Sequence, residues 1–127
     1  MLLLLLAALT ASPSAPEPAP QSIYFDSGKG SEIRPEWTEV LDAVAASLRQ
    51  RGGRVRLDGF SDRSGPEGAN RRVSAERGQA VRAALIERGV PSGSIAAVVH
   101  GEDDSLVPTA DGVREPQNRR VDLTLLP

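Results

Sequence analysis

RVRLDGFSDRSGPEGANRRVSAERGQAVRAAL, residues 54–85, decides the fold. From Arg54 to Phe60 the side chains alternate, with Val55 and Leu57 falling on one face and Arg54, Arg56 and Asp58 on the other, as in a strand with one buried side. The glycines and proline between Ser61 and Gly68 break that pattern. Beyond them Asn70 reads as the cap of a helix whose apolar stripe is Val73, Ala80, Val81, Ala84 and Leu85, with Gly89 and Pro91 as its stop. A strand that turns into an amphipathic helix requires a sheet with a helical layer on it.

The flanking sequence fits the same plan. Upstream, Pro35 starts a helix that carries Trp37, Val40, Leu41, Val44 and Leu48 at helical spacing and ends at Gly52-Gly53. Before it lies a short β-prone run, Ser22 to Phe25, followed by the turn-rich Asp26-Ser27-Gly28-Lys29-Gly30. Downstream, a third strand is expected from about Ser94 to Val99, then a polar loop to Gln117, then a last strand over Arg119–Leu126 with Val121, Leu123 and Leu125 on one face. The order is β-α-β-α-β-loop-β, an α/β (α+β) sandwich with two helices on one face of a four-stranded sheet.

Three segments divide the 127 residues. Residues 1–11, with Leu2–Leu6 and then small residues, read as a secretory signal peptide cleaved near Ala11. A membrane anchor is the competing reading, although the run is short of the ~20 residues that span a bilayer. Residues 12–21 contain SPSAPEPAP and read as a proline-rich tether, and the domain occupies residues 22–127.

Composition excludes several functions. With a formal charge of -2 the chain lacks the basic surplus that nucleic acid demands. The absence of cysteine removes disulfides, thiolate catalysis, cysteine metal sites and a lipidated N-terminal cysteine. Gly59-Phe60-Ser61-Asp62-Arg63 departs from a nucleophile elbow at its fifth residue, and nothing ties His100 to Ser61, so no enzyme is expected. Glu102-Asp103-Asp104 lacks the alternating oxygen spacing of a calcium loop, so neither metal nor cofactor is expected.

Three charges take inward phases. Asp62 follows a central strand at the turn toward the second helix, Arg77 joins the apolar stripe of that helix, and Arg119 shares the parity of Val121. Such a cluster can be a structural salt-bridge network. Alternatively, two arginines facing one aspartate leave a positive surplus that suits a zwitterionic ligand, its ammonium on Asp62 and its carboxylate on an arginine fork.

Residues 23–126 resemble the OmpA-like C-terminal domain family, found in outer-membrane proteins, peptidoglycan-associated lipoproteins and flagellar motor B proteins. The segments that carry the resemblance are IYFDSGKGSEI, LDGFSDRSGPEGANRRVSAERGQAVRAAL, the GV and HGEDDSLVP stretch, and NRRVDLTL. The resemblance implies non-catalytic binding of peptidoglycan through the diaminopimelate residue of its stem peptide, linking the envelope to the wall. The aspartate of the family's TD turn and the arginine of its LSxxRA helix fall on Asp62 and Arg77, and the first arginine of NRR on Arg119. Asn70 matches the asparagine before the helix, and Phe25, Asp26 and Ser27 match the loop that closes the pocket. Ser61 and Val73, from the GFSD and Val73-Ser74 elements, complete the implied site. Phe60 stands where the family has a histidine, and the loop before Arg119 carries two extra residues and a proline. The implied location is the periplasm or outer membrane of a Gram-negative bacterium, with other envelope proteins as further partners. The alternative function is an envelope assembly domain with the same fold and a vestigial pocket.

Overall fold

The computed structural model describes residues 21–26, 30–103 and 105–127. The expected signal peptide, nearly all of the tether, and Ser27 lie outside these residues.

Strand β1 (Gln21–Tyr24) is followed by a single 3-10 turn (Pro35–Trp37) and helix α1 (Thr38–Arg51), then β2 (Arg54–Phe60), α2 (Glu67–Glu87), β3 (Ile95–Gly101) and β4 (Arg120–Leu126). The four strands lie in the order β1-β4-β2-β3, with β4 antiparallel to both neighbours and β2 parallel to β3. The sheet is mixed because α2 carries the chain back between β2 and β3 as a crossover, whereas β4 lies between β1 and β2 and runs opposite to both.

Ile23, Val55, Leu57, Val121 and Leu123 come from the sheet and Leu41, Val44, Ala45, Leu48, Val81 and Leu85 from the helices, and all belong to one aliphatic core. Both helices therefore cover the same face, as the alternation in β2 and the stripes in α1 and α2 require. Gly59 lets α2 come down onto β2, since a Cβ there would lie 2.5 Å from the Ser74 carbonyl oxygen. Nearby, the Ser74 hydroxyl donates to the Arg71 carbonyl and accepts from the Gly101 N–H. The helix is thus clamped to the ends of β2 and β3 from which the loop after Phe60 departs.

Several boundaries differ from the sequence reading by a few residues, and two of them bear on the site. The second helix starts at Glu67 with Pro66 in extended conformation ahead of it, so Asn70 lies in the first turn and caps nothing. Pro66 needs no N–H at that position and acidic Glu67 suits the positive end of the helix, which moves the start upstream. Arg119 precedes β4 and follows a 3-10 turn, Pro116–Asn118.

Candidate functional site

Beyond the C-terminal ends of β2 and β3 a cavity of about 220 Å³ is lined by Gly30, Ser61, Asp62, Ser64, Asn70, Val73, Arg77 and Arg119. Six of the nine residues expected at a site thus converge on it: Asp62, Arg77, Arg119, Asn70, Ser61 and Val73. Phe25 and Asp26 do not line it. Phe25 is a core residue whose carbonyl accepts from Arg119 Nε at 3.0 Å and whose ring lies 5.3 Å from the Arg77 guanidinium. Asp26 turns away to pair with Arg34 at 3.2 Å. Both belong to an adjoining cleft because β1 is an edge strand and its last residues pass behind Arg119.

Asp62 is 3% exposed and its carboxylate is fully engaged. Oδ1 accepts from the Ser64 hydroxyl at 2.6 Å and the Ser64 N–H at 3.2 Å, while Oδ2 accepts from Arg119 Nη1 at 3.0 Å and the Glu115 N–H at 3.1 Å. Burial works against ionisation, but the Ser64, Arg119 and Glu115 hydrogen bonds outweigh it and hold the Asp62 pKa below the usual carboxylate value. Asp62 is therefore a fixed anion at neutral pH.

Arg77 is equally buried and is held differently. Its Nε donates to the Gly30 carbonyl at 3.2 Å, but Nη1 is buried without a hydrogen-bond partner among the described residues. Burial pushes its pKa down to about 10, with the Asp62 charge acting in the opposite sense and the Arg119 charge reinforcing the fall. The Ser61 hydroxyl, in the same cavity, is also buried without a partner among the described residues. Asp62 and Arg119 neutralise each other, so Arg77 carries the surplus charge.

Asn70 forms one wall. Its side-chain amide donates to the Gly65 carbonyl at 2.8 Å and to Glu102 at 3.0 Å, tying the loop after β2 to the loop after β3. The loop before Arg119 is anchored by the fully buried Asn118, whose amide exchanges two hydrogen bonds with the backbone of Val107. That anchor presents the Glu115 N–H to Asp62. Ser64, Gly30 and Glu115 escaped the sequence reading, and only Ser64 left a signal, as a hydroxyl two residues after an aspartate in a turn. An apolar groove between α1 and β4, lined by Val40, Val44, Leu123 and Leu125, has no comparable convergence of polar groups.

The OmpA family model matches residues 24–119, a span that contains every element of this cavity. An outer membrane protein of Gluconacetobacter diazotrophicus is 38% identical over 118 residues, covering 87% of this chain and 31% of that protein. A peptidoglycan-associated lipoprotein of Pseudomonas putida is 32% identical over 102 residues, covering 80% of this chain and 61% of its own length. Among solved structures, the peptidoglycan-associated lipoprotein from Burkholderia pseudomallei aligns with a TM-score of 0.74 at 28% identity, over 82% of this chain and 88% of that one. The chain spans about a third and about three-fifths of the two curated relatives.

Proposed function

The chain belongs to the OmpA family, whose domains are not enzymes, and from that premise we propose that it binds peptidoglycan, its cavity taking the zwitterionic end of a diaminopimelate residue in the stem peptide. The observation that carries this reading is the buried Nη1 of Arg77, without a partner among the described residues, beside the Ser61 hydroxyl, which likewise has none among them. A buried cation without a counter-ion is costly, and a carboxylate entering the cavity would relieve that cost. In the proposed complex Arg77 Nη1 and the Ser61 hydroxyl donate to the ligand carboxylate. The ligand ammonium approaches Asp62 and takes over the place of the Ser64 hydroxyl, the partner most easily rotated away. Arg119 remains on Asp62 and keeps it oriented.

Charge-assisted hydrogen bonds contribute about 1.5–3 kcal/mol each, so two or three of them correspond to modest affinity per site. A wall polymer repeats its stem peptides, and effective anchoring then comes from many sites or from a second attachment of the protein. The names of the relatives, an outer membrane protein and a peptidoglycan-associated lipoprotein, support a place in the cell envelope, where the domain would link envelope to wall.

Intact sacculi should retain the wild-type chain in a sedimentation assay and release both Arg77→Met and Asp62→Ala. Retention of both variants would overturn the reading. The engaged state of Asp62 favours one alternative, an assembly domain in which the Asp62–Arg119 pair is purely structural. Titration with free diaminopimelate that leaves the Arg77 and Ser61 NMR signals unmoved would favour that alternative.

A further inference from the structure

Behind Arg119, on the side away from Asp62, lies a second cleft of about 220 Å³. Its walls include Tyr24, Phe25, Trp37, Arg34, Gln117 and Arg119, so the Arg119 side chain is a partition common to both cavities. The chain has only four aromatic residues, one Trp, one Tyr and two Phe, and three of them line this cleft. Tyr24 and Trp37 form a tilted pair with ring centroids 5.8 Å apart. The indole Nε1 of Trp37 is buried with no acceptor among the described residues.

No cation is left over here, unlike in the neighbouring cavity. Arg34 pairs with both Asp26, at 3.2 Å, and Glu36, at 2.8 Å, and Arg119 is occupied by Asp62. A ligand for this cleft therefore needs no anionic group, has an apolar face for the aromatic rings, and carries an acceptor for a buried N–H. A sugar ring with its axial C–H groups and its hydroxyl or acetamido oxygens has those properties. The volume corresponds to about seven water molecules, the scale of one monosaccharide.

We propose that the Tyr24–Trp37 cleft is a second subsite that holds a sugar of the same polymer whose peptide enters the Asp62–Arg77 cavity. The inference rests on the peptidoglycan reading and extends it, since the domain would then register glycan and peptide together across Arg119. Trp37 supplies the donor, the aromatic pair supplies the platform, and exposed Gln117 supplies a polar rim.

The test is a calorimetric titration of the whole chain with two probes. One is a soluble tripeptide of alanine, γ-linked glutamate and diaminopimelate. The other is the same tripeptide on an N-acetylglucosaminyl-N-acetylmuramic acid disaccharide. The disaccharide form should bind about tenfold more tightly. Trp37→Phe, which keeps a ring but removes the N–H, and Gln117→Ala should each narrow that gap while leaving affinity for the bare tripeptide unchanged. Gln117 is exposed, so its variant preserves the test if Trp37→Phe fails to fold. Equal affinity of the wild type for both probes would overturn the sugar subsite and leave the peptide pocket standing. Failure of both probes to bind would overturn the pocket, and the subsite with it.

Discussion

Arg119 and Arg120 are adjacent in sequence, point to opposite faces of the sheet, and enter two very different charged clusters. On the face without helices, Arg120 is 6% exposed, lies 4.0 Å over the Phe60 ring and donates to Asp122 at 3.0 Å. Asp122 also accepts from the Ser22 hydroxyl, and Phe60 stacks in turn on His100, with centroids 4.5 Å apart. His100 and Arg56 both bond Asp58, at 2.8 and 2.9 Å. Arg120, Asp122 and Asp58 thus each have a charged or hydrogen-bonding partner. In the cavity the count is odd, because Asp62 satisfies Arg119 and leaves Arg77 with a nitrogen unbonded among the described residues. Buried charge with closed partners strengthens a fold, whereas buried charge with one partner missing is prepared for a ligand.

The largest effect is expected at Asp62. Asp62→Ala strands Arg119 and removes the acceptor of the Glu115 N–H, so denaturant unfolding should show a loss of about 3–5 kcal/mol as well as lost wall binding. A variant as stable as wild type would mean the pair contributes nothing to the fold. Arg120→Met should lower stability by about 2 kcal/mol, less because Asp122 keeps some solvent, and should leave sedimentation with sacculi intact. Any loss of wall binding there would merge the two clusters into one site.

Acid should weaken both regions. For Asp58, burial raises the pKa while the His100 and Arg56 bonds lower it more, and Asp62 is lowered likewise. With folded-state values below those of the unfolded chain, the unfolded state binds more protons in the acid range. The stabilisation is complete above about pH 5 and is lost as pH falls through the folded values, below about pH 4. Thermal melts at pH 6, 4 and 3 should record that decline, and a flat profile would show that neither carboxylate is linked to folding.

Smaller effects sharpen the contrast. Arg77→Met, which abolishes binding in the proposed function, should change unfolding free energy by no more than about 1 kcal/mol, since no ion pair is lost. A large loss would assign Arg77 to structure. Gly78 adjoins Arg77 in α2, and a Cβ there would meet nothing within 4 Å. Gly78→Ala should therefore raise stability by about 0.5–1 kcal/mol in denaturant unfolding without altering wall binding.

Much of this arrangement is legible in residue order. Helical phase turned Arg77 toward the sheet, strand parity turned Arg119 inward, and the turn after Phe60 delivered Asp62 to the same end. Other positions were misread for identifiable reasons. Asn70 has the composition of a cap, yet Pro66-Glu67 makes the earlier start, so its amide bridges Gly65 and Glu102 instead. Asp58 and Arg120 fall on the polar side of their strands, and alternation assigns that side to solvent. The Phe60 ring and its neighbours bury them.

Residue order sets direction, that is, which face each side chain occupies, because the 3.6- and 2-residue periods are local properties of the backbone. Partnership is settled by the folded chain. Arg119 reaches Asp62 across 57 positions, the Glu115 N–H completes that carboxylate, and Arg77 is left one partner short among the described residues. Hydrogen bonding depends on tenths of an ångström between segments remote in the chain, and periodicity carries no information about such distances.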